Sequence, residues 1–128
     1  MKIRLLLGIS LALLALSCKE GPTAGDLAVD LTTPNSDDGA IQFVATGTNG
    51  ATISALSQGC SGCKLFVVKV SDTQYKGVIT GNLSAGTLFR VSVSDAKHVS
   101  NYSVLIVGVS SRTFGMRTSL SGYSVTLK

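Results

Sequence analysis

Two cysteines three positions apart, in Gly59-Cys60-Ser61-Gly62-Cys63-Lys64, are the most distinctive chemical feature of the chain. A structural disulfide needs only such a pair and an oxidising compartment. Thiol redox chemistry wants the first cysteine at a helix N-terminus, where its pKa falls, whereas these residues read as a loop between strands. Haem attachment needs histidine directly after the second cysteine, and Lys64 stands there. Zinc needs four ligands as a rule, and His98 is the only histidine. A disulfide between Cys60 and Cys63 is therefore expected, with no metal and no cofactor.

Three other groups carry chemistry. Asn35, Asp37 and Asp38 offer oxygens, with Asp26 and Asp30 nearby in sequence, but calcium wants six to eight oxygens and no EF-hand spacing is present. The run Thr33-Pro34-Asn35-Ser36-Asp37-Asp38-Gly39 reads as a turn whose side chains bond the local backbone. Asp95 and His98 have the spacing for a carboxylate to orient an imidazole toward a serine. Serines are abundant and no nucleophile-elbow motif accompanies the pair, so an exposed polar loop is expected and no catalytic residue is assigned. Tyr75, Tyr102 and Tyr123 could stack on sugars, yet each falls on an alternating strand, where a buried ring with its hydroxyl at the edge is the expected role.

These groups need a scaffold, and the N-terminus says where it works. Lys2 and Arg4 precede an apolar run from Leu5 to Leu16 that ends at Ser17-Cys18, the layout of a secretory signal. The run falls short of the roughly 20 apolar residues that span a bilayer. Leu14-Ala15-Leu16-Ser17-Cys18 resembles the lipobox of bacterial lipoproteins. That resemblance implies removal of residues 1–17, acylation of Cys18 with two or three chains, and a membrane partner reached through that lipid. Lys19 stands where an inner-membrane retention signal would place aspartate, which implies outer-membrane delivery, with the domain in the periplasm or at the cell surface. An exported compartment is oxidising, in keeping with the disulfide.

Cleavage after residue 17 would leave 111 of the 128 residues, enough for one domain with one core. The whole chain carries a net charge of +4, but Lys2 and Arg4 are two of its eleven basic residues, so in residues 18–128 nine face seven acids, a net of +2. Lys64, Lys69, Lys76, Arg90, Lys97, Arg112 and Arg117 are spread singly, which argues against a nucleic-acid partner. Residues 18–26 are polar and rich in turn formers, a short lipidated tether.

From residue 27 onward the dominant period is two, broken by Gly, Asn, Asp and Ser. Strands are expected at Leu27 to Leu31, around Ile41 and Phe43, more weakly at Thr52 to Leu56, then at Leu65 to Val70, Tyr75 to Thr80, Leu88 to Ser94, Tyr102 to Val109 and Tyr123 to Lys128. In the fourth, Phe66, Val68 and Val70 are expected inside because Lys69 should face water. The clearest is the sixth, with Phe89, Val91 and Val93 on the core face. The seventh is apolar on both parities and is expected to be central, covered on both faces. No stretch beyond the signal helix shows a capped helical pattern. About eight short strands argue for an all-β fold, a single antiparallel β-sandwich over residues 27–128.

Leu31-Thr32-Thr33-Pro34-Asn35-Ser36-Asp37-Asp38-Gly39-Ala40-Ile41, with Gly81-Asn82 and Leu120-Ser121-Gly122-Tyr123, resembles a group of short bacterial secreted proteins and lipoproteins. Their domain is similar to cohesins, the sandwich modules that bind dockerins. That resemblance implies an immunoglobulin-like sandwich, and no dockerin-contacting residue carries over. The chain is thus expected to be a non-enzymatic, lipid-anchored envelope module for protein interaction or envelope structure, with another envelope protein as partner. The alternative is a small-ligand or carbohydrate-binding module.

Overall fold

The computed structural model describes residues 21–128. The expected signal helix over residues 1–17 and the expected acylation site Cys18 lie outside the described residues. Eight strands follow: β1 (Gly25–Thr32), β2 (Asp38–Gly47), β3 (Ile53–Gln58), β4 (Lys64–Ser71), β5 (Gln74–Leu83), β6 (Gly86–Val93), β7 (Tyr102–Ser111) and β8 (Ser124–Leu127). A single 3-10 turn, Val99–Asn101, precedes β7. The strands form two antiparallel four-stranded sheets, A in the order β3-β6-β1-β8 and B in the order β4-β5-β2-β7. Every connection except the β4–β5 hairpin carries the chain from one sheet to the other. A strand with one apolar face can bury it only against a second layer, and this threading supplies that layer at each step.

The interior follows the alternation. Leu27, Val29 and Leu31 of β1 and Phe89, Val91 and Val93 of β6 are buried from sheet A, and they meet Ile41, Phe43 and Ala45 of β2 and Ile79 of β5 from sheet B. The Phe43 and Phe89 rings stack between the sheets with centroids 4.3 Å apart. Gly77 makes room for this contact, since a Cβ there would lie 2.6 Å from the tip of the Phe43 ring.

Two expectations are corrected. Phe66, Val68 and Val70 do not face the core; they are 60%, 68% and 52% exposed. Strand parity is set by the neighbour, because directly opposed residues share a face. Leu65 lies opposite buried Ile79 and Lys69 opposite buried Tyr75, so the even-numbered residues of β4 point outward. Lys69 tolerates the core-facing side because β4 is an edge strand: its long stem lets the ammonium reach water, where it pairs with Asp72 at 2.9 Å.

Nor is β7 a central strand covered on both faces, for it forms the opposite edge of sheet B. Val109 is buried and Val104 and Ile106 pack on the core. Leu105 and Val107 are exposed. A register shift opposite Gln42 and Phe43 leaves Val107 without a cross-strand partner, the signature of a β-bulge. Apolar residues on both parities here mark an uncovered outer face, not a second covering layer.

Candidate functional site

The exposed apolar residues converge on the outer face of sheet B. Cross-strand register places Phe66, Val78, Gln42 and Gly108 in one row and Val68, Lys76, Val44 and Leu105 in the next. A third row holds Lys64, Thr80, Ala40 and Ser110. Met116 adds to the β7 edge through a bridge to Ser110. Shallow depressions of about 260, 150 and 300 Å³ lie across this face. The first two share Gln42 and Val78, and the last two share Ala40 and Ser110, so they form one trough that ends beside Arg112 and Phe114. Scattered exposed apolar groups are ordinary, but a contiguous patch marks a contact surface.

The outer face of sheet A is chemically different. Asp26 accepts a hydrogen bond from Ser92 at 2.7 Å, and Asp30 accepts from Thr87 at 2.6 Å and pairs with Lys128 at 2.8 Å. The hydrogen bond from Lys128, followed by that from Thr87, holds the Asp30 carboxyl below its ordinary pKa. These carboxylates lie on β1, away from Asn35, Asp37 and Asp38, and they are committed to sheet pairing.

A polar node that sequence spacing does not show sits where β2 begins. Asp38 is fully buried. One of its carboxylate oxygens accepts from the Tyr123 hydroxyl at 2.6 Å and from Arg117 at 2.9 Å, and the other accepts from the Thr33 hydroxyl at 2.6 Å. Arg117 also reaches Asp37 at 2.6 Å, and the Asn35 amide donates to the Tyr123 hydroxyl at 2.8 Å. Burial by itself pushes the Asp38 carboxyl up, but the hydrogen bonds from Thr33, Tyr123 and Arg117 outweigh it and hold the pKa below the ordinary value. The same carboxylates, first Asp38 and then Asp37, keep Arg117 firmly protonated. Asp37 and Asp38 thus share the Arg117 guanidinium, and Asn35 joins the node through the Tyr123 hydroxyl. Arg117 and Tyr123 lie about eighty residues away in sequence, and no local pattern announces them.

Cys60 and Cys63 are joined by a disulfide in the loop between β3 and β4. Cys63 is buried, and Gly81 approaches it with φ +138°, so that a Cβ there would lie 3.1 Å from the Cys63 Cα. Closing so small a loop removes limited unfolded-state entropy, about 2 kcal/mol in the chain-entropy model. The Cys60→Ala/Cys63→Ala pair is expected to lose about that much in urea unfolding. Reductant should lower the native protein's stability by the same amount and leave the variant unchanged.

Asp95 and His98 are paired through Nδ1 of the imidazole. Burial pushes the Asp95 carboxyl up, but bonds from His98 and from the Thr23 and Lys97 amides bring it below its ordinary pKa. The adjacent Ser94 hydroxyl is held by the Thr52 amide at 3.0 Å and lies 3.3 Å from the Tyr102 hydroxyl. That ties it into the loop packing between β2 and β3. Tyr75 and Tyr102 are each 6% exposed, with the Tyr75 hydroxyl on the Ser54 carbonyl and the Tyr102 hydroxyl on the Asp95 amide. All three tyrosines serve packing and hydrogen bonding. No protein-family model, no curated protein and no solved structure matches this chain.

Proposed function

We propose that the chain is a lipid-anchored, non-catalytic sandwich module of the bacterial envelope, acylated at Cys18, that works by contact through the outer face of sheet B, in protein interaction or envelope structure. The finer likeness to cohesins belongs to the same proposal. One observation carries it: Phe66, Val68 and Leu105 stand exposed in adjoining rows of one face, and a trough runs across that face from β4 to β7. The lipobox-like Leu14 to Cys18 supports the anchor. A carbohydrate-binding reading finds less support, because the tyrosines that would floor a sugar site are turned into the packing.

Intact mass of the protein purified from bacterial membranes, with and without reductant, tests the reading. The expected chain begins at Cys18, carries acyl chains, and is two hydrogens lighter before reduction. An unacylated soluble species would overturn the anchor. Free thiols at Cys60 and Cys63 would overturn the disulfide.

A further inference from the structure

We infer that the outer face of sheet B rests on an anionic bilayer surface, which deepens the proposal above and rests on it. Three observations on the molecule point there. The first is charge. Lys64 and Lys76 stand within the rows of that face, Arg112 lies at the end of its trough, and no carboxylate stands in those rows; Asp37, whose carbonyl accepts from the Arg112 amide, is paired with Arg117. Asp26 and Asp30 are on the opposite face, and Asp72, in the β4–β5 turn, is paired with Lys69. A second copy docked face to face would bring lysines against lysines without a counter-charge, which disfavours that occupant. Anionic headgroups complement the face.

The second observation is shape. Lys76 is flanked in its row by Val68 and Val44, so its stem can lie on apolar surface while the ammonium reaches a phosphate. Around it the depressions are open to solvent and run together into a trough, rather than forming the enclosed pockets that anchoring side chains of tight protein partners fill. A broad apolar surface studded with cations is the chemistry of an interfacial membrane contact.

Reach is the third. The Thr23 carbonyl accepts from the Ala96 amide at 2.7 Å, which fixes the chain to the sandwich there. From Thr23 back to Cys18 is five residue steps, at most about 17 Å when extended. An acyl-anchored domain on so short a lead cannot leave the headgroup region, and it must present one surface to it. The outer face of sheet A, where Arg90 and Lys128 offset Asp26 and Asp30, has no net charge to draw it to anionic lipid; that of sheet B carries Lys64 and Lys76 with no carboxylate in its rows.

The chain has no tryptophan, so a single one introduced on either face reports on its surroundings alone. Phe66→Trp places the probe on the proposed contact surface, and Thr126→Trp, opposite Asp30 on sheet A, serves as the control. Both sites are exposed, so neither change disturbs the core. Each full-length protein is purified from bacterial membranes and reconstituted in vesicles of phosphatidylethanolamine and phosphatidylglycerol that carry doxyl-labelled lipid. Quenching of Phe66→Trp several-fold stronger than that of Thr126→Trp, with a blue-shifted emission, is expected, and Lys64→Glu/Lys76→Glu should reduce it. Equal quenching of the two probes overturns the inference and leaves the face to an acidic protein partner. Quenching of the same strength on phosphatidylcholine vesicles overturns the assignment to an anionic surface. Intact mass of the same samples reads the anchor separately. If the chain is unacylated the anchor fails, and the face is then judged by adding the soluble protein to the vesicles, where selective quenching upholds it and none overturns it.

Discussion

Replacing Phe43 with alanine is expected to lower the unfolding free energy by about 4 kcal/mol, the middle of the range for a buried phenylalanine. Phe43 is 1% exposed and comes from sheet B, and its ring stacks on Phe89 from sheet A with planes 22° apart. Truncation removes apolar area from the interior and leaves a void that neither sheet can close, because each backbone is held by its own ladder. It also deletes the ring pair, which contributes up to about 1.5 kcal/mol beyond area. Gly77 on the neighbouring strand adds nothing to fill the gap. For a domain whose total stability is of order 5 to 15 kcal/mol, this loss is a large fraction. Phe43→Leu should cost clearly less than the alanine variant, because it keeps most of the volume, although it too loses the ring pair. Urea unfolding of the two variants checks both expectations, and a loss for the alanine variant no larger than for the leucine variant would mean that the sheets relax together.

Asp38→Ala is expected to cost about 3 kcal/mol, the order found when one partner of a buried ion pair is removed. The substitution leaves the hydroxyls of Thr33 and Tyr123 and one Arg117 contact without their acceptor. These groups fasten the turn before β2 to the segment between β7 and β8, so the loss should appear both as lower stability and as faster amide exchange in residues 112–123. Asp37, also paired with Arg117 but with a side chain 58% exposed, should cost under about 1 kcal/mol as alanine, since solvent screens that pair. The contrast between adjacent aspartates separates a buried acceptor from a surface charge.

The same residue sets a pH dependence. Because its folded pKa is depressed, Asp38 contributes stability above the pKa of an unfolded aspartate, near 3.9, and that contribution is lost as pH falls through the lower folded value. The Asp38 contribution to native stability should therefore hold level above about pH 5 and decline below it. In Asp38→Ala the acid decline of total stability should be shallower, though not absent, since Asp30 and Asp95 are also held below their ordinary pKa. An acid limb of unchanged slope in the variant would remove Asp38 from this role.

Much of the fold is legible in the residues. The period-two pattern places Leu27 to Leu31, Leu88 to Ser94 and Tyr123 to Lys128 on strands, and it assigns Phe89, Val91 and Val93 to the core face. Where a strand carries polar groups on one parity, the pattern alone names the inside. It fails where both parities are apolar. In β4 a single lysine tipped the reading to the wrong face, and in β7 two apolar faces were equally compatible with a covered strand and with an exposed one.

Local chemistry alone was enough to determine an all-β chain, its main turns, and a cysteine pair close enough to bridge, because alternation, turn formation and loop closure depend on neighbours within a few residues. Which face of each edge strand meets water depended on the strand beside it: Ile79 and Tyr75 chose the parity of β4, and the place of β7 at the margin of sheet B uncovered Leu105. The pairing of Asp38 with Arg117 and Tyr123, and the gathering of Phe66, Val68, Lys76 and Leu105 on one surface, join residues tens of positions apart. Only the stacking of two sheets brings them together, since the order of strands in a sandwich is not their order in the chain.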